Sequence, residues 1–287
     1  MPPPHPPQPL TLIVATTPLP SGLGIGLGGT LPWPRIKSDM SFFARVTARL
    51  PLTNSSDPGQ LSGVGIGMGV AVTSENGAGK KRTNALIMGR KTYDSVPPKL
   101  RPLGKRVSVV ISRESGGSVA ERVKEELEGK KEREREVAER KAAEQGTTAT
   151  ATPAAPASAP EGQTDAFVSS SLEDALQQLD RDAVEGSVGN VYVIGGAEIY
   201  GASLRLPSET ESGEKRTIRI VMTDVEKLDG SGFECDTFFP VGAKELKSDK
   251  WRRVSSKEVS EWVGEEVSGE WITEGDIRVR MVGYERV

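Results

Sequence analysis

The chain of 287 residues contains one histidine and one cysteine. His5 lies in a proline-rich start, MPPPHPPQPL, read as a disordered tail over residues 1–9, so Ser-His-Asp and Cys-His machinery and histidine-held metals are excluded and no metal site is expected. Cys235 has no partner within the chain for a disulfide, which suits a reducing compartment. Long hydrophobic runs are also missing: nothing approaches the ~20 apolar residues of a membrane span. The N-terminus has neither an apolar signal core nor an Arg-rich amphipathic pattern, and a cytoplasmic protein is expected. Neither sign of charge dominates. A net charge of −3 gives no footprint for nucleic acid or an anionic membrane. Chemistry without histidine or cysteine must come from a carboxylate, from electrostatics or from a cofactor.

What is present centres on residues 31–47, LPWPRIKSDMSFFARVT. Pro32 and Pro34 lack amide donors and favour extended backbone before them, so a rigid loop should precede a helix starting at Ser38. Asp39, Phe42, Phe43 and Val46 then fall at i, i+3, i+4 and i+7, placing an acid in an apolar stripe. Burying a carboxylate is costly unless something hydrogen-bonds it, which points to a ligand with paired N–H donors. The alternative is an acid placed at a helix start by the macrodipole.

Short apolar runs rich in β-branched residues mark buried strands at residues 10–16, 84–88, 107–111, 191–194 and 217–223, with a shorter one at Phe167 and Val168. Residues 235–240, CDTFFP, are read as a neighbour of the 217–223 strand. Gly24, Gly26 and Gly29 fit G-x-G-x-x-G, but LPWP follows where a helix must, so the stretch is read as a flexible glycine loop. Gly89 leads from a strand into Arg90, Lys91 and Thr92, Ser112 and Arg113 end another strand, and Gly195 and Gly196 end a third; each suits a phosphate. Residues 51–83 read as a Gly/Ser-rich insertion. Residues 115–164 read as a second, a solvated charged helix followed by an Ala/Pro/Thr linker. Ser171 and Asp174 approximate a capping box, and the tail alternates as an antiparallel pair at a sheet edge. The whole reads as one α/β domain with ligands at the strand carboxyl ends.

Six segments, GIGLGGTLPW, DMSFFARVT, IMGRKTYDSVP, RPLGKRVSVVISRE, VYVIGGAEIY and ECDTFFP, together resemble dihydrofolate reductase motifs in that family's order, with insertions like those of fungal members. The resemblance implies a mostly parallel eight-stranded sheet with flanking helices and an antiparallel C-terminal edge. It implies NADPH-dependent reduction of 7,8-dihydrofolate, by hydride transfer to C6 and protonation at N5, in a monomer that binds no nucleic acid or membrane. Asp39 would be the acid, with Trp33 and Thr223 in its network. Substrate would meet Ile13, Val14, Ala15, Met40, Phe43, Ser95, Val96, Leu103, Arg106, Ile194 and Tyr200, with Arg106 taking the glutamate α-carboxylate. Cofactor would meet Ala15, Gly24, Ile25, Gly26, Gly29, Thr30, Gly89, Arg90, Lys91, Thr92, Ile111, Ser112, Arg113, Gly195, Gly196, Ala197, Glu198 and Ile199, with a cis peptide joining the two glycines. Ser170 stands where many members carry an arginine for the 2′-phosphate, leaving that role to Arg90 and Arg113. A reductase of another pyrimidine or pteridine, or a scaffold protein, remains the alternative.

Overall fold

The computed structural model describes residues 7–50, 82–114, 116–145, 162–207, 209, 213 and 215–287. Residues 1–6 of the expected tail, 51–81 of the first expected insertion, and 115 and 146–161 of the second lie outside them. Within the tail, the Gln8 carbonyl accepts a hydrogen bond from Arg216 at 3.2 Å. The first insertion ends before residue 83, because Thr83 already opens a strand.

The strands in chain order are β1 (Leu10–Leu19), β2 (Gly22–Gly26), β3 (Thr83–Gly89), β4 (Val107–Ile111), β5 (Asp165–Ser169), β6 (Val188–Gly195), β7 (Ile218–Lys227), β8 (Thr237–Phe238), β9 (Trp251–Val254), β10 (Ile272–Glu274) and β11 (Ile277–Arg286). The helices are α1 (Lys37–Ala48), α2 (Arg90–Ser95), α3 (Ser118–Gln145), α4 (Leu172–Val184), α5 (Ala197–Arg205) and α6 (Ser256–Val263). Eight strands run in the order β10-β11-β7-β1-β6-β3-β4-β5. Pairing is parallel from β7 to β5 and antiparallel where β11 meets β7 and β10, the expected plan.

The buried runs of β1, β3, β4 and β6 are apolar on both faces because helices cover both. One face packs Leu12, Val14, Ile87 and Val193 against Leu176 and Leu179 of α4 and Tyr200 of α5. The other packs Ile13, Leu86, Met88 and Tyr192 against Phe42 and Val46 of α1, Val123 of α3 and Val259 of α6. Ser171 caps α4 by accepting from the Asp174 amide at 3.0 Å, while the Asp174 carboxylate turns to the Ser170 hydroxyl instead of closing the box.

Three local expectations change. The glycine loop is largely a strand: β2 pairs antiparallel with β1 and β8, and a Cβ on Gly24 would lie 2.4 Å from Cys235 Sγ, so the glycine permits close strand approach. Its tip is closed by mutual Leu27 and Thr30 backbone bonds, with Gly28 and Gly29 at φ 58° and 81°, and the Gly28 amide donates to Asp236 at 2.8 Å. The CDTFFP segment pairs through β8 with β2 rather than with β7, whose neighbours are β1 and β11. Finally, α3 is not solvated throughout: Val119, Val123 and Leu127, four residues apart, are buried at its start. That short apolar stripe is masked in sequence by the charges around it and after it.

Candidate active site

Register on the sheet sets Ala15 of β1 opposite Thr223 of β7. The Thr223 hydroxyl hydrogen-bonds the Asp39 carboxyl, bringing the α1 acid beside the middle of β7. Burial raises the Asp39 pKa above the usual carboxylate range, and the Thr223 bond partly offsets this. Burial therefore favours its protonated form.

Around it, the buried Tyr200 donates its hydroxyl to the Ile13 carbonyl at 2.6 Å and faces the Asp39 charge. Its hydroxyl is thus spent on the scaffold. Trp33 is buried edge-on to Phe233 at 5.7 Å, in a cluster against which Ala15 and Cys235 pack. Ile13, Phe43, Leu103 and Ile194 share a single apolar cluster. Val14 departs from the expected pocket wall: strand alternation sends its side chain into the core on the opposite face, so it offers the cleft only backbone. Met40 stays 40% exposed, Val96 is half-buried, and Ser95 is exposed with its hydroxyl on the Thr92 carbonyl.

Arg106 is the second distinctive group. Only 8% exposed, it donates Nη2 to the Ala44 carbonyl of α1 at 2.7 Å, while its buried Nε has no hydrogen-bond partner. Among the described residues no carboxylate pairs with it. Desolvation lowers its pKa to about 10, which leaves it charged at neutral pH. A buried cation with an unused donor is built for an anion. Through Ala44 it is tied to the helix that carries Asp39.

The third group lies at the ends of β3, β4 and β6. Gly89 and Gly196 precede α2 and α5, and neither helix start carries a side-chain cap. The Gly195–Gly196 peptide is cis, as the resemblance implies, and Gly195 takes φ 122°. A Cβ on Gly89 would lie 3.2 Å from Ile199 and one on Gly196 3.4 Å from Thr92, so these glycines bring the turns together. Arg90 and Lys91 are exposed, and Arg113 pairs with Glu198 at 3.3 Å. Ile111 is buried beside them, and the Ser112 amide is used by the Ser169 carbonyl. Exposed cations beside uncapped amides fit an extended, phosphate-bearing cofactor.

Sequence reasoning missed the residues that hold α1. Asn84, fully buried, donates its amide to the Thr47 and Arg49 carbonyls at 3.0 and 2.7 Å and accepts from the Asn190 amide at 2.8 Å. Read as part of an apolar strand, it gave no local signal for this.

The comparisons agree with this geometry. A dihydrofolate reductase family model matches residues 78–144. The chain is 29% identical to a dihydrofolate reductase of Cryptococcus neoformans over 96% of this chain and 91% of that one, and 27% identical to that of Sus scrofa over 86% of each. It is 30% identical to the Schizosaccharomyces pombe dihydrofolate reductase, spanning 90% of this chain and 41% of that longer protein. The solved Schistosoma mansoni dihydrofolate reductase superposes with a TM-score of 0.53 at 22% identity, covering 98% of this chain and all of that one, and so shares the fold. No described helix is long and apolar enough to cross a membrane. Motif order, sheet plan and relatives converge: the chain is similar to dihydrofolate reductases along most of its length and shares their fold.

Proposed function

We propose that the protein reduces 7,8-dihydrofolate to tetrahydrofolate with NADPH. The observation that carries this is the pair of groups tied to α1, the half-buried acid Asp39 and the buried, under-partnered Arg106. A ligand with paired N–H donors on a flat ring at one end and a carboxylate at the other answers both. A pterin supplies the donors and the glutamate tail the carboxylate. A pyrimidine reductase would have no use for Arg106.

NADPH, when bound, supplies the hydride that adds to C6. Arg90, Lys91 and Arg113 would hold its phosphates, with Thr92, Ser112 and the turns at Gly89 and Gly195 to Ile199 beside its backbone. Arg90 and Arg113 would favour NADPH over NADH, although Glu198 competes for Arg113. Asp39 accepts from the ring N–H groups and, with its proton affinity raised by burial, supports protonation at N5. Thr223 fixes the rotamer of that carboxyl. Ile13, Phe43, Leu103 and Ile194 form an apolar surround that excludes water, and Trp33 supports the Ala15 side of the cleft. We infer a monomer that acts on a small molecule in the cytoplasm and binds no nucleic acid.

The test is loss of NADPH absorbance when dihydrofolate is added. Turnover that needs both compounds is expected, and its absence from pH 5 to 8 would overturn the reading.

A further inference from the structure

Helix α1 carries no cap of its own. Its N-cap position is Ile36, which offers no side-chain acceptor, although the first amides of a helix need one. The acceptor comes from the other end of the chain. Glu274, the last residue of β10, accepts the Lys37 amide on Oε1 at 2.7 Å and the Ser38 amide on Oε2 at 3.0 Å. The Ser38 hydroxyl donates to the same Oε2 at 2.9 Å. These amides hold the Glu274 carboxyl below its usual range, with Lys37 a further charge beside it, so it is ionised at neutral pH. The next residue in the chain is Asp39.

At the other end of α1, Asn84 holds the Thr47 and Arg49 carbonyls, and Arg106 holds that of Ala44. Of these groups, Glu274 grips the turn that carries the acid. We propose that Glu274 is a positioning residue for the reductase: by capping the first turn of α1 from the edge hairpin β10-β11, it fixes where Asp39 stands in the cleft. The proposal rests on the reading of Asp39 as the reaction's acid. The cap has an electrostatic consequence as well. Amides left unpaired would favour a negative charge on the same turn, so Asp39 would hold its proton less well without the Glu274 carboxylate. The other groups that face Asp39 are the Thr223 hydroxyl of β7 and the Tyr200 phenol of α5.

The experiment compares wild type, E274Q and E274A in turnover against pH with NADPH and dihydrofolate, alongside NADPH affinity and thermal midpoint. In E274A, kcat should fall about three- to tenfold, since small displacements of a reacting group are costly, and the loss of turnover at high pH should begin at lower pH. E274Q, whose amide oxygen still accepts one N–H, should fall between E274A and wild type. NADPH affinity should stay within about twofold, because the cap lies on α1 and not on the phosphate turns. Unchanged kcat in E274A would overturn the proposal. So would a lowered thermal midpoint with kcat per folded enzyme and pH profile intact, which marks a purely structural cap. A wild type without turnover would instead overturn the reading of the site, and the positioning role with it.

Discussion

Asp39 works against the fold that holds it. Its ordinary pKa near 3.8 is raised by burial in the folded chain, so between those two values the folded state binds the proton more tightly than the unfolded state. Stability therefore declines as pH rises through that window, and above it the carboxylate opposes folding. Asp39→Asn should raise the thermal midpoint at pH 7, with the gain vanishing below pH 3.8, as calorimetry across pH would show. The same change should lower turnover by about 10²–10⁴ at neutral pH with NADPH affinity little altered, the range typical of removing a general acid. Arg106→Ala should weaken dihydrofolate binding by ~2 kcal/mol or more, measured by titration calorimetry, because the ligand's desolvated carboxylate loses its partner. Both residues are singled out by sequence, the acid as an anomaly in an apolar stripe and the arginine through motif order. Glu274 is not, since its partners lie 236 and 237 residues away and a half-buried hairpin glutamate has no pattern of its own.

The strands and α1 were legible because burial on both faces leaves uninterrupted β-branched runs, and burial on one face leaves a stripe at helical spacing. Pairing was less so: nothing in CDTFFP says that it meets β2 instead of β7, since register is settled by contacts distant in sequence. The long charged helix was misread for a related reason. Three apolar residues at the start of α3 are outvoted by the charges of a helix that runs from Ser118 to Gln145. Its first turns nonetheless hold α2 and the loop after it. Tyr93 of α2 donates to Glu126 at 2.6 Å, Arg101 pairs with Glu126 at 3.4 Å, and Arg122 pairs with Asp94 at 2.7 Å. If the helix has a packed half and a solvated half, matched truncations must differ. Val123→Ala, at a residue 1% exposed, should cost about 1–2 kcal/mol in urea unfolding, from lost burial and a small cavity. Val137→Ala, at a residue 44% exposed, should stay within about 0.5 kcal/mol. Equal effects would return the whole helix to solvent.

Across the molecule, the charges that matter are divided between two environments. The chain is acidic, at −3 overall, so no general attraction draws in an anionic ligand and local cations must do the work. At the carboxyl ends of β3 and β4 those cations, Arg90, Lys91 and Arg113, are exposed to solvent, and Arg113 already shares its charge with Glu198. Arg106 is 8% exposed and packed against α1. Salt acts on the two unequally, because mobile ions screen exposed charges over a Debye length that shrinks from about 10 Å at 0.1 M to about 3 Å at 1 M, while they barely penetrate a buried pair. Raising sodium chloride from 0.05 to 0.5 M should therefore weaken NADPH binding about threefold or more, read by fluorescence titration, and change dihydrofolate binding by much less. Glu198→Gln should tighten NADPH and steepen its salt dependence by freeing Arg113, while leaving dihydrofolate affinity where it was. Equal salt sensitivity of the two ligands would mean that the buried arginine does not take the substrate's carboxylate, and the division of labour along the sheet would have to be redrawn.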